Sequence, residues 1–172
     1  MLQTLLSTGF AVVMSLVWAH AGGLKLAHPD DYSAIAEGYM GWPVAPSLLR
    51  LLGCAELVLA IGLLLPVSRI WAAYSSAALL SGYALLMWRQ INAQHLAMRC
   101  GCGGFGAETR VSWELVARNL VLVLTMLYLT LPAVVELNGV FVTGIVLGFG
   151  LYVCYLALDQ LIANSQRMRG LA

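Results

Sequence analysis

Cys100 and Cys102 stand one residue apart in the run Cys100-Gly101-Cys102-Gly103-Gly104-Phe105-Gly106, and they are two of only four cysteines in the chain. Four glycines in seven residues argue against a helix and let the backbone turn tightly. A disulfide closed over one intervening residue is a small, strained ring, and strained bridges are the more reducible ones. So short a loop also restricts the unfolded chain little, which weakens the case for a structural staple. The thiolate is the reactive form, and neighbouring cations favour it; Arg99 and Arg110 flank the run. The chemistry indicated is reversible electron exchange through a dithiol, with Cys100, Cys102, Arg99 and Arg110 as the catalytic candidates. Two other readings compete. The thiols could supply half of a tetrahedral metal site with His95 as a third ligand, but no second Cys or His cluster completes it, so no metal is expected. They could also be incidental cysteines in a flexible loop. Cys54 and Cys154 fall within apolar segments, where cysteine behaves as a small hydrophobe. A second pair between them would require the second and fifth spans to touch.

The segments that must position this loop are apolar. Of 172 residues, 61% are hydrophobic and 10% charged, against about 25% charged in soluble domains. That excludes a water-soluble surface. No basic block supports a nucleic-acid partner. A span needs about 20 apolar residues, and five segments qualify: about 4–26, 47–65, 70–88, 112–132 and 137–162. The expected fold is all-α, a single polytopic membrane bundle surrounded by lipid. The uncharged N-terminal run lacks a basic leader and exceeds a signal-peptide core, so it reads as a retained span. Ser112 and Glu114 mark the start of the fourth span. Short links near Pro66–Arg69 and Pro132–Glu136 make their neighbours antiparallel. Two longer connections share one face. In the first, about 29–40, Tyr32, Ile35, Ala36 and Tyr39 recur at helical spacing behind Asp30 and Asp31, which reads as an interfacial helix or a plain connector. The second, 89–111, carries the thiol pair.

Glu56 lies about mid-membrane in the second span by the ~1.5 Å rise per residue. An intramembrane carboxylate is a functional candidate that needs a partner. Arg118, beside Asn119 early in the fourth span, is the expected partner, with Glu114 competing for it. The alternative is an ion pair that only locks two helices. His20 is a candidate proton relay or quinone contact, against the plainer reading that it hydrogen-bonds a neighbour. Gly22-Gly23 marks a close helix approach. Lys25, Arg50, Arg89, Arg99, Arg110, Arg118, Arg167 and Arg169 all lie toward the thiol face and only Arg69 toward the other, so the positive-inside rule makes the thiol face cytoplasmic.

Taken together, the chain resembles the MauE branch of the DoxX-like membrane proteins. The resemblance rests on Gly23-Leu24-Lys25-Leu26 with Pro29, Glu56 leading to Gly62-Leu63-Leu64-Leu65-Pro66, the Cys100-Gly101-Cys102 pair with Phe105-Gly106, and Val111-Ser112-Trp113-Glu114-Leu115 with Arg118-Asn119. It covers roughly residues 5 to 135. In the family pattern Phe-Gly follows Cys-x-Cys directly, whereas Gly103-Gly104 intervene here. The resemblance implies a four-helix DoxX-like core with an added fifth transmembrane helix. It also implies a bacterial inner membrane and a part in maturing the disulfide-rich small subunit of methylamine dehydrogenase, alongside a thioredoxin-like (MauD-like) partner. That places the thiols in the periplasm, against the charge rule. The layout also looks like vitamin K epoxide reductase and DsbB, which pass electrons between thiols and a quinone. By that analogy a quinone would sit near Glu56, Trp113, Arg118, Asn119 and His20. The expectation is a membrane thiol–disulfide oxidoreductase; the alternative is a non-enzymatic anchor or assembly subunit of a larger redox complex.

Overall fold

The computed structural model describes residues 1–94, 98, 100, 109–131 and 139–169. Arg99 and Cys102, with His95 and the rest of the glycine-rich run after Cys100, lie outside the described residues, as does the link from the fourth span to the fifth. The described elements are six α-helices: α1 (Leu2–Ala27), α2 (Pro29–Met40), α3 (Pro46–Leu64), α4 (Arg69–Asn92), α5 (Trp113–Leu129) and α6 (Gly139–Arg169). All but α2 correspond to the expected spans. Four of them, α1, α3, α4 and α6, are long and apolar enough to cross a membrane. At 17 residues, α5 is about 25 Å long, at the lower edge of spanning length.

Side-chain contacts fix the direction of each helix. Gly22 meets Gly53, and Ser15 Oγ donates to the Ala60 carbonyl at 2.8 Å, so α1 and α3 are antiparallel. Met87 clusters with Leu115, while Ala77 and Leu80 cluster with Met126, so α4 and α5 are antiparallel. Arg118 pairs with Asp159 and Ser112 with Gln166, so α5 and α6 are antiparallel. Thr8 abuts Gly144 and Val12 abuts Gly148, so α6 runs parallel to α1. α5 thus returns the chain along the bundle between α4 and α6. Both long connections and the end of α6 therefore share one face, as the hydropathy pattern predicts.

The close approaches come from small residues. A Cβ on Gly22 would lie 2.7 Å from the Gly53 carbonyl oxygen, and one on Gly148 would lie 2.5 Å from Val12 Cβ. Gly144 and Gly148 form the small-xxx-small spacing that lets membrane helices touch backbone to backbone. Apolar residues left outside the bundle, such as Val58, Ile61, Val146 and Phe149, are exposed as lipid-facing residues must be. At the face opposite the thiols, Arg69 Nε donates to the Leu63 carbonyl at 3.0 Å and Nη1 to Ser7 Oγ at 3.4 Å. This satisfies a carbonyl at the end of α3 that the helix itself cannot.

Pro29 opens α2, with Asp30 and Asp31 in its first turn, and Gly41 closes it at φ 78°, a left-handed cap that glycine adopts without strain. Ser33 Oγ donates to the Val44 carbonyl, and the Val44 N–H donates to Glu37 at 3.2 Å. The turn is thereby tucked against α2, with Val44 buried.

Candidate functional site

Cys100 is held where the loop begins and ends. Its N–H donates to the Thr109 carbonyl at 2.8 Å, and the Val111 N–H donates to the Met98 carbonyl at 2.9 Å. These two bonds clasp the base of the loop like a fragment of antiparallel ladder. The end of α6 reinforces the clasp. Gln166 accepts from the Arg110 N–H at 2.8 Å and donates to its carbonyl at 3.0 Å and to Ser112 Oγ at 3.1 Å. Ser112 stands at the N-cap of α5, but its side chain makes no capping bond; the hydroxyl is engaged by Gln166 instead. The Arg110 side chain is exposed at this rim.

The Cys100 side chain faces inward, 9% exposed, in a cluster with Met87, Ile91, Val111, Leu115 and Val116. Its Sγ lies 3.6 Å from Met87 Sδ. The Tyr39 hydroxyl donates to the Cys100 carbonyl at 3.4 Å, and Gln90 Nε2 donates to the Tyr39 carbonyl at 3.2 Å. Loop, α2 and α4 are thus tied together. Cys54 and Cys154 are exposed on the outer surface and form no disulfide with each other.

A cavity of about 130 Å³ lies between α2, α3 and α4, partly open on one side. Its lining includes Cys100 and Met87, the α2 stripe Tyr32, Ile35, Ala36 and Tyr39, and, from α1 and α4, Lys25 and Tyr83. The stripe on α2 therefore faces this cavity.

Lys25 is the charged residue of this lining, and Glu56 stands behind it. Glu56 is 0% and Lys25 4% exposed. Lys25 Nζ donates to both carboxylate oxygens at 2.8 Å, and the Tyr83 hydroxyl donates to Glu56 Oε1 at 2.6 Å. The ammonium also stands 5.5 Å from the Tyr32 ring centroid and 5.6 Å from that of Tyr83, within cation–π range. The sequence explains the meeting. Gly22 and Gly53 each lie three residues before a charged residue and bring α1 and α3 into contact. Helical side chains lean toward their own N-terminus, which aims Lys25 and Glu56 at each other across that contact.

The expected Glu56–Arg118 pair is not formed. Arg118 bonds Asp159 of α6 instead, and its guanidinium lies 5.6 Å from the Tyr155 ring. The helix pairing explains the exchange: Lys25 reaches Glu56 through the glycine contact, while the part of α5 that carries Arg118 faces α6. Asn119 is buried, its amide nitrogen lacking an acceptor among the described residues. His20 Nδ1 meets the Tyr152 hydroxyl at 3.1 Å, joining α1 to α6. Trp113 is 55% exposed. None of Trp113, Arg118, Asn119 and His20 lines the cavity beside Cys100. Of the residues expected near a quinone, only Glu56 is joined to it, through Lys25 and Tyr83. Lys25, Tyr83 and Asp159 were missed as partners, although Asp159, a carboxylate inside an apolar span, carried the same signal as Glu56.

The arrangement can hold a flat apolar ring between a thiol and a hydrogen-bond donor. A quinone head group fits the residues present on two counts: the cavity is ring-sized and apolar, and the Lys25 ammonium has a third N–H without an acceptor among the described residues.

A sequence model described as methylamine utilisation protein MauE matches residues 3–132. A methylamine utilization protein MauE of Paracoccus denitrificans is 27% identical over 168 residues, covering 94% of this chain and 89% of that protein. One of the same description from Methylorubrum extorquens is 27% identical over 119 residues, covering 68% of this chain and 64% of that protein. No solved structure matches.

Proposed function

We propose, from the premise that the chain belongs to the MauE family of methylamine utilisation proteins, that it is a membrane thiol–disulfide oxidoreductase of that system. It is a multi-pass protein of a bacterial membrane. In this reading Cys100 and Cys102 cycle between dithiol and disulfide. They exchange with a thioredoxin-like partner that serves a disulfide-rich client, such as the methylamine dehydrogenase small subunit. The thiol face is periplasmic, the compartment in which disulfides persist. A membrane quinone, when bound, supplies a two-electron, two-proton acceptor.

The observation that carries the reading is the placement of Cys100: its side chain lines an apolar cavity in the bundle, while its backbone belongs to the clasp that closes the loop. Buried Cys100 is the inner thiol of the pair, and Cys102 meets the partner. Exchange proceeds by thiolate attack on a disulfide sulfur through a mixed disulfide. Arg110 at the rim, with Arg99, favours the attacking thiolate. The clasp and Gln166 hold the loop base while the sulfurs trade partners.

The roles assigned to the two cysteines make the test directional. Cys100→Ser removes the resolving thiol and should accumulate a mixed disulfide between Cys102 and a thioredoxin-like protein. Cys102→Ser should accumulate little. Absence of an adduct from both variants would defeat the proposal, and the anchor reading would then stand.

A further inference from the structure

We propose that the cavity between Lys25 and Cys100 takes the single-ring head group of a benzoquinone, with the Lys25 ammonium donating a hydrogen bond to one ring carbonyl. The inference deepens the function proposed above and rests on it for the source of electrons.

Size selects the ring. The cavity holds about 130 Å³, close to the engineered apolar cavity of about 150 Å³ that accepts benzene in another protein. One six-membered ring matches this volume more closely than two fused rings do. The lining is aliphatic and aromatic, with Ile35, Ala36, Leu49 and Leu52 beside Tyr32 and Tyr39. An isoprenoid tail leaves through the open side.

Polarity selects the carbonyl. An ammonium carries three N–H donors. Two of them are taken by the Glu56 oxygens. The third has no acceptor among the described residues, and Lys25 is 4% exposed and lines the cavity. A buried donor without an acceptor is costly, and a ring carbonyl satisfies it without adding charge. Tyr83, Glu56 and Lys25 form one hydrogen-bonded chain.

Chemistry selects a quinone. Cys100 lines the same cavity. In the balanced step, two S–H bonds break and one S–S bond forms between Cys100 and Cys102. The dithiol is oxidised, and two electrons and two protons pass to the ring. Its two carbonyls become hydroxyls, so the quinone is reduced to a hydroquinone.

The test uses the full-length protein in nanodiscs and reads equilibrium binding by quenching of tryptophan emission. Trp18 is buried 6.5 Å from the Tyr83 ring and reports on the site. The probes are a decyl-benzoquinone and a naphthoquinone with the same tail. The expected result is saturable quenching by the first, with a dissociation constant at least about tenfold below that of the second, the discrimination that poor shape fit produces. Ala36→Phe fills the cavity while keeping both members of the ion pair and should weaken benzoquinone binding about tenfold or more. Lys25→Met with Glu56→Leu removes the donor without stranding a charge and should do the same; should that variant not fold, Ala36→Phe decides. Equal affinity for the two ring sizes, no saturable quenching, or unchanged affinity in Ala36→Phe would each overturn the assignment. If binding is absent while Cys100→Ser still traps a partner, the head-group site fails and the thiol-exchange function stands. If binding is saturable and ring-selective but neither cysteine variant traps a partner, the function fails and the site stands.

Discussion

Replacing Lys25 by methionine keeps most of the side-chain volume and removes the charge, leaving Glu56, among the described residues, with only the Tyr83 hydroxyl as donor. The ammonium lies 2.8 Å from the carboxylate, which at an effective dielectric of about 20 corresponds to roughly 6 kcal/mol of Coulomb attraction. Desolvation takes back several kcal/mol for each ion. The intact pair is therefore worth little against a well-packed apolar pair, yet losing one member is costly. Lys25→Met alone should destabilise by about 3–5 kcal/mol, while Lys25→Met with Glu56→Leu should fall within about 1 kcal/mol of the parent or above it. Equilibrium unfolding in mixed detergent micelles measures both, and the cycle completed with Glu56→Leu gives the coupling. A single-variant loss below about 1 kcal/mol, in the range of exposed pairs, would refute the reasoning. So would a double variant as unstable as the two singles added. Either result would mean that water reaches a carboxylate described as fully buried.

The glycine contact predicts that Gly22→Ala, whose Cβ would lie 2.7 Å from the Gly53 carbonyl, costs about 1–3 kcal/mol by forcing α1 from α3; the same unfolding assay reads it. Arg118→Ala strands Asp159 and should also cost about 3 kcal/mol or more, while Arg118→Met with Asp159→Leu should recover most of it. Gln166→Ala releases the Arg110 backbone. Losing about 1–2 kcal/mol of local hydrogen bonding should speed amide exchange at Arg110 roughly 5- to 30-fold, with the α1 amides unchanged.

The frame of this bundle was legible because hydropathy and helix punctuation are local signals. Pro29, Asp30 and Asp31 at one end and Gly41 at the other give α2 the bounds that the sequence predicts. The shared face of the two long connections followed from counting spans. Ion-pair partners were not legible, because partnership depends on which helices touch. Arg118 and Glu56 share a depth and opposite charge, but the contacts that decide the matter are Gly22 with Gly53 and Gly144 with Thr8. Gly144 and Gly148 have the small-xxx-small spacing of a contact helix, a signal that was missed in the sequence. The cavity could not be read at all. It arises where α2 folds over α3 and α4, and no single segment encodes that volume.

The ion pairs also change the charge argument about orientation. Positive-inside counting concerns cations left outside the hydrocarbon near the ends of spans. Lys25 and Arg118 are paired within the bundle and drop out of the count. Arg50, Arg89, Arg110 and Arg167 remain exposed on the thiol face. The opposite face has Arg69, which is buried against the end of α3. The bias is reduced but keeps its sign, so a periplasmic thiol face has to come from the chemistry. A dithiol that serves disulfide formation in a client needs a compartment where disulfides persist, and cytosolic thiol pools reduce them. Ala34, exposed on α2 at this face, reports the outcome. In a chain with all four native cysteines replaced, Ala34→Cys should react with a membrane-impermeant maleimide in intact cells whose outer membrane has been permeabilised. Labelling only after the inner membrane is opened would put the loop in the cytoplasm, and a periplasmic client would then be out of its reach.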